Sequence, residues 1–225
     1  MNNTIFTSHY LTDWILIATT LVSFVISWKF RAHKQLFLIR IYIAASLFVD
    51  ILSSATELLF PESKICLAID NAVLNLYSIL EISVIYLFIN RTIFRKSFKI
   101  SIQLFYIFYV GLCLIIWVFF PKAIISNTPY LFALEGILIA GLCLPYFYEL
   151  IYSLPIERIS KVPDFWVISG ILFYYSSTFP FYFILIGLHY APSINVIFIS
   201  VNYFLYTILF LAFIKAFLCP IHIRK

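Results

Sequence analysis

The residues of this chain that carry chemistry stand where an apolar solvent would tolerate them least. Asp50, Ser53, Ser54 and Glu57 recur at i, i+3, i+4 and i+7, the spacing that puts side chains on one face of a helix, and Ser46 belongs to the same apolar run. Asp70, Tyr77 and Glu81 follow at intervals of seven and four, flanked by Asn71, Asn75 and Ser78. Asn195, Asn202 and Tyr206 repeat that spacing. Glu135 and Glu149 lie near opposite ends of a further apolar run, and Ser169, Ser176 and Ser177 share one side of another. Asp50, Glu57, Asp70, Asn75, Glu81, Glu135 and Asn202 are therefore the candidates for binding a ligand or a proton. The competing reading is that acids, amides and hydroxyls in such places are hydrogen-bond glue between helices.

Depth sets the expected roles. Asp50 and Glu81 fall near the middle of their apolar runs and are expected to face a common interior. Glu57, Asp70 and Glu135 would line the outer half of an acidic pocket that opens outward. No Lys, Arg or His stands at the depth of Asp50 and Glu81. Arg40 is ten residues away, about 15 Å along a helix, and is expected to reach the aqueous interface instead. An isolated charge is expensive in lipid, so both acids are expected to be carried neutral unless a cation or an amine binds.

Other chemistry is missing from the pattern. There is no GxSxG, HExxH, P-loop or GxGxxG. The four histidines, His9, His33, His189 and His222, all fall in loops or termini, so an intramembrane metal site is not expected. His9, Asp13 and His189 share one face and are the one place where a metal trio could meet. Lys215 ends the last apolar run instead of sitting within it, which does not suit a Schiff base. The expectation is a non-enzyme without cofactor or metal. Four cysteines without a CxxC read as unpaired small hydrophobes.

The elements that must position these residues follow from composition. The chain has 225 residues, 64% of them hydrophobic and 11% charged, with a mean hydropathy of +1.03. A soluble domain carries about 25% charged residues. The bilayer is the solvent that suits the excess. A hydrocarbon core about 30 Å thick needs roughly 20 apolar residues of helix. Seven runs qualify, approximately 11–29, 37–60, 68–90, 100–120, 130–152, 164–187 and 194–215. Each is continuously apolar without alternation, so helices are expected and a barrel is not. The expected fold is all-α: one seven-helix transmembrane domain over residues 1–225.

Orientation comes from the loops. The segments 29–40, 91–99, 158–161 and 215–225 carry 13 of the 15 Lys and Arg residues, Arg31, Arg158, Arg224 and Lys225 among them; only Lys64 and Lys122 fall on the other side. The basic side is cytoplasmic. The N-terminus is then outside, the C-terminus inside, and the net charge of +5 is a topology signal and not a nucleic-acid patch. Trp14, Trp28, Trp117 and Trp166 fall near span ends, where aromatic belts sit. The first run has its basic residues after it and no small-residue cleavage site, so it is expected to be a retained helix. Pro61, Pro121, Pro129, Pro155, Pro163 and Pro192 punctuate span ends, while Pro145 and Pro180 fall inside spans five and six as kinks or hinges. Seven spans also permit a three-plus-one-plus-three parallel repeat.

Residues 77–91 (YSILEISVIYLFINR) and 163–183 (PDFWVISGILFYYSSTFPFYF) resemble small seven-span membrane proteins of Bacteroidetes-type bacteria, which are themselves similar to the membrane input modules of sensor histidine kinases. The resemblance implies a sensor in the bacterial cytoplasmic membrane, with Glu81 and the segment Asp164-Phe165-Trp166 as marked positions. No kinase domain is present, and five residues follow Pro220, so signalling through a separate cytoplasmic or membrane partner is expected. A receptor-like module that takes a small ligand from outside is the leading expectation. A small-solute or proton-coupled transporter, with Asp50 and Glu81 as coupling pair and Pro145 and Pro180 as hinges, is the alternative.

Overall fold

The computed structural model describes residues 2–30, 33–60, 63–126, 128–153, 159–187 and 192–220, without the side chains of residues 2–13, 153, 185 and 192–197. Arg31, Pro61, Pro155, Arg158, His189, His222, Arg224 and Lys225, and the side chains of His9, Asp13, Pro192 and Asn195, lie outside the described residues.

Seven α-helices make up the described chain: α1 Asn2–Lys29, α2 Phe37–Leu59, α3 Lys64–Thr92, α4 Lys96–Phe119, α5 Pro129–Ser153, α6 Pro163–Gly187 and α7 Pro192–Leu218. Their starts follow local chemistry. Ser63 caps α3 by accepting the Cys66 amide at 3.0 Å. Pro129, Pro163 and Pro192 open α5, α6 and α7, at the position where a missing N–H costs nothing. Short 3-10 turns at Lys34–Leu36 and Pro121–Ile125 complete the connections. The helices overrun most of the expected spans by one to four residues, and α1 by nine, because a hydropathy pattern marks the lipid-facing length and not the hydrogen-bonded turns beyond it. Six helices are long and apolar enough to cross a membrane; the described apolar stretch of α1, Trp14–Lys29, is shorter.

Outward faces carry Trp14, Phe48, Leu58, Leu104, Val118, Phe119 and Ile151, all largely exposed. Such a surface is stable against lipid and not against water. The four cysteines are free and buried.

Packing order gives the bundle its logic. α1, α2, α3, α5, α6 and α7 each contact the next, and α7 returns to α1, so six helices close a ring. α4 packs on α3 and α5 from outside that ring. Two seams are drawn tight by glycine. A Cβ at Gly136 would stand 2.8 Å from Phe179 Cβ across the α5–α6 seam, and one at Gly170 would stand 2.7 Å from Ala212 Cβ across the α6–α7 seam. Between helices in lipid, close approach of this kind replaces the hydrophobic effect as the source of attraction.

The two halves of the bundle differ. Fully buried large side chains gather at Leu36, just before α2, at Ile39, Tyr42 and Ile43 in its first turns, at Ile82, Ile85, Phe88 and Ile89 in the second half of α3, and at Phe210, Phe213 and Phe217 near the end of α7; Tyr109 of α4 and Ile139 of α5 are buried elsewhere. These ends share the side that carries Lys34, Arg91, Arg95, Lys96, Lys161 and Lys215. At that basic end the Glu149 carboxylate accepts the amides of Phe94 and Arg95, both at 2.8 Å, and so ties α5 to the connection just before α4. Arg40, expected to reach the aqueous interface, donates from its Nε to the Ser27 carbonyl of α1 at 3.1 Å, and its Nη2 is buried. The basic half is a solid plug. The polar stripes converge in the other half.

Candidate functional site

A cavity of about 400 Å³ lies within the ring. All six ring helices line it, and no residue of α4 does. Four acids belong to the lining: Asp50 and Glu57 from α2, Glu81 from α3 and Glu135 from α5. No Lys, Arg or His is among the lining residues. Glu57 is exposed at the end of the bundle where α2 passes to α3, whereas Glu81 and Glu135 are buried. The acidity therefore runs inward from one end and stops at the plug.

Each acid has its own support. Thr20 Oγ1 of α1 lies 3.1 Å from Asp50 Oδ2 and shares its one hydrogen between that oxygen and the Leu16 carbonyl at 2.9 Å. The Tyr42 hydroxyl donates to Glu81 Oε1 at 2.5 Å. Tyr77 is 3.5 Å from the same oxygen, at the edge of a useful bond, and its hydroxyl lies 2.5 Å from Ser46 Oγ. Ser46 gives its own hydrogen to the Tyr42 carbonyl at 3.0 Å, so the Tyr77 hydrogen goes to Ser46. Tyr42 thus makes a closer bond to Glu81 than Tyr77 does. Glu135 Oε2 accepts Ser78 Oγ at 2.6 Å. With that hydrogen committed, the Tyr109 hydroxyl must be the donor in its 2.7 Å bond to Ser78 Oγ. A hydrogen-bonded chain consequently runs from Glu135 through Ser78 to α4, outside the ring. Glu135 Oε1 has no partner.

Asp50, Glu57, Glu81, Glu135 and Asn202 meet around the cavity; Asp70 and Asn75 do not. Asp70 serves the α2–α3 contact, where Thr56 Oγ1 at 2.8 Å and Ser53 Oγ at 3.2 Å donate to its Oδ1, and the Cys66 thiol lies 3.5 Å from Oδ2. Asn75 is buried against the turn between α4 and α5. Its Nδ2 donates to the carbonyls of Ala123, Ile124 and Ser126 at 3.3, 2.8 and 3.1 Å, and its Oδ1 accepts Thr128 Oγ1 at 2.9 Å. Both residues lie on the expected faces but spend their polar atoms on neighbouring segments. Asp50 and Glu81 line this one cavity, and Glu135 of α5 lines it with them.

Tyrosines are what the spacing of acids does not reveal. Tyr174, Tyr175, Thr178 and Tyr182 of α6 and Tyr203 and Tyr206 of α7 line the cavity. The Tyr174 hydroxyl donates to Asn202 Oδ1 at 3.0 Å. Tyr174, Thr178 and Tyr182 recur every four residues, so the signal was present as a stripe of ring hydroxyls. Ser176, by contrast, is exposed and bonds back to the Phe173 carbonyl, and Pro145 and Pro180 are not part of the lining. Asp164 and Trp166 sit at the basic end; the Trp166 indole donates to the Ser160 carbonyl at 2.8 Å, and Lys215 Nζ lies 5.8 Å from its ring.

Compared with known protein families, curated proteins and solved structures, the chain finds no match.

Proposed function

We propose that this membrane protein is a receptor-like, sensory module that binds a small ligand in the acidic cavity and acts through a separate partner. One observation carries the proposal: the cavity enters the ring from the end marked by Glu57 and ends against the packed aromatic and aliphatic side chains of the basic half. A pocket that is open at one end and plugged at the other suits recognition more than passage. Its volume is that of a small-molecule site, about 300–1,000 Å³. The chain from Glu135 through Ser78 to Tyr109 supports an output, since charge placed at Glu135 bears on the one helix outside the ring. The positive-inside pattern puts the open end outside, in a bacterial cytoplasmic membrane by the sequence resemblance, and that resemblance also supports the partner.

The transporter alternative uses the same cavity and needs the plug to open. The prolines within α5 and α6, two helices in mutual contact, favour it as hinge positions. Liposomes containing only this protein separate the two. A receptor stabilises thermally with some members of a panel of small solutes and passes none of them. Solute flux that Asp50→Asn abolishes would replace the receptor by the transporter.

A further inference from the structure

Two polar atoms in the cavity wall remain over when the hydrogen bonds of the site are assigned. Glu135 is 3% exposed, and its Oε1 has no partner. Tyr175 is 5% exposed; its hydroxyl turns to the Glu81 carboxyl, and its oxygen accepts no hydrogen bond. Both residues belong to the cavity lining, on helices that pack together. In lipid, two buried acceptors without donors are costly unless something else completes them.

We infer that Glu135 and Tyr175 form the recognition point of the cavity, and that the ligand is an organic ammonium: a protonated primary or secondary amine on an aromatic or aliphatic body. This rests on the reading of the cavity as a ligand site. An ammonium carries several N–H donors on one atom. One pairs with Glu135 Oε1, a second with the Tyr175 oxygen, and the Tyr175 hydrogen is left to turn toward Glu81. A neutral ligand cannot offset the charge of an ionised Glu135, and an anion would add to it.

The walls distinguish an organic cation from a metal ion. Among the described residues, no three His, Cys, Asp or Glu side chains gather in a way that could hold a metal. Rings are present instead: Phe132 stacks on Tyr182 with centroids 5.7 Å apart, and Tyr182 meets Phe198 at 5.0 Å. Aromatic faces attract an ammonium and accommodate its apolar body. Glu81 and Asp50 are poorer anchors, since the nearest oxygen of Glu81 is taken by Tyr42 and Asp50 is engaged with Thr20.

The test is calorimetric titration of the full chain in detergent micelles, at neutral pH, with 2-phenylethylamine and with its uncharged counterpart 2-phenylethanol. The amine is expected to bind and the alcohol to bind at least about tenfold more weakly. Glu135→Gln should weaken the amine by about tenfold or more, and Tyr175→Phe, which keeps every carboxyl and the ring, by about threefold to tenfold. Asp70→Asn removes an acid outside the cavity and should change binding by less than about threefold. Equal binding of amine and alcohol, or amine binding untouched in both Glu135→Gln and Tyr175→Phe, overturns the assignment of an ammonium and leaves the cavity itself as a ligand site. No binding of the amine by folded protein overturns the assignment too, while the solute panel still judges the cavity.

Discussion

The Tyr42 hydroxyl donates a 2.5 Å hydrogen bond to Glu81 Oε1, and this contact joins the floor of the cavity to the plug beneath it. Tyr42 is fully buried, with its ring edge-on to Phe213 at 5.5 Å, so one side chain packs the core with its face and supports an acid with its tip. Tyr42→Phe keeps the ring and leaves the carboxyl without this donor. The expected loss is about 1–2 kcal/mol of stability, since the acceptor stays buried. Unfolding in mixed micelles measures it, and an unchanged midpoint would contradict the role given to the bond.

Asn75 makes a similarly specific statement about the turn between α4 and α5. Its amide holds three carbonyls of that turn and the Thr128 hydroxyl, from a helix that is distant in sequence. Asn75→Ala should free the turn without emptying the cavity. Amide exchange over residues 123–128 is expected to rise about tenfold or more, the equivalent of about 1.4 kcal/mol of local protection. Exchange confined to α3 would show that the amide has another job.

The glycines separate close approach from mere flexibility. Gly136→Ala and Gly170→Ala place a methyl against Phe179 and Ala212 and should destabilise the bundle by about 1–3 kcal/mol each. Gly141→Ala and Gly111→Ala meet nothing within 4 Å and should be neutral or mildly stabilising. The same unfolding assay checks all four, and an inverted order would show that the seams are not where the helices meet.

His33, in the connection between α1 and α2, gives the pH dependence its sign. Burial, and after it the Arg40 guanidinium, holds the imidazole below its ordinary value of 6.5. Its Nδ1 is buried without a partner. The unfolded chain therefore takes up this proton first as pH falls. Stability is fully present above 6.5 and is lost as pH drops from there through the lower folded value. Unfolding midpoints compared at about pH 8 and about pH 5 should differ by less in His33→Gln than in wild type. An equal difference in both would place the acid sensitivity elsewhere.

These particulars show where the sequence was legible. Apolar length, loop charge and the spacing of Asp50, Glu57 and Glu81 on their helices follow from one-dimensional periodicity, and the seven-helix bundle and most of the acidic lining came with them. Asp70 and Asn75 were legible as polar faces but not as partners, because their bonds run to Thr56 and to the 121–128 turn, which only the packed structure brings near. The ring order was hidden as well. Nothing in a hydropathy pattern says that α4 stands outside the ring. Tyr175 reads as one more aromatic residue in an aromatic-rich helix until its hydroxyl is found beside the Glu81 carboxyl in the cavity wall.

The central claim, an acidic cavity that opens from the non-basic end of the bundle, is tested most directly by thiol labelling in intact membranes. In a background freed of the four native cysteines, Ser54→Cys and Asn202→Cys place a thiol in the cavity lining, while Phe48→Cys and Leu211→Cys place one on the lipid-facing surface. A cationic thiosulfonate reagent applied from outside is expected to modify the cavity pair at least about tenfold faster than the lipid-facing pair, and faster than an anionic reagent of similar size. Equal rates at all four positions, or faster reaction with the anion, would contradict the cavity and the functions built upon it.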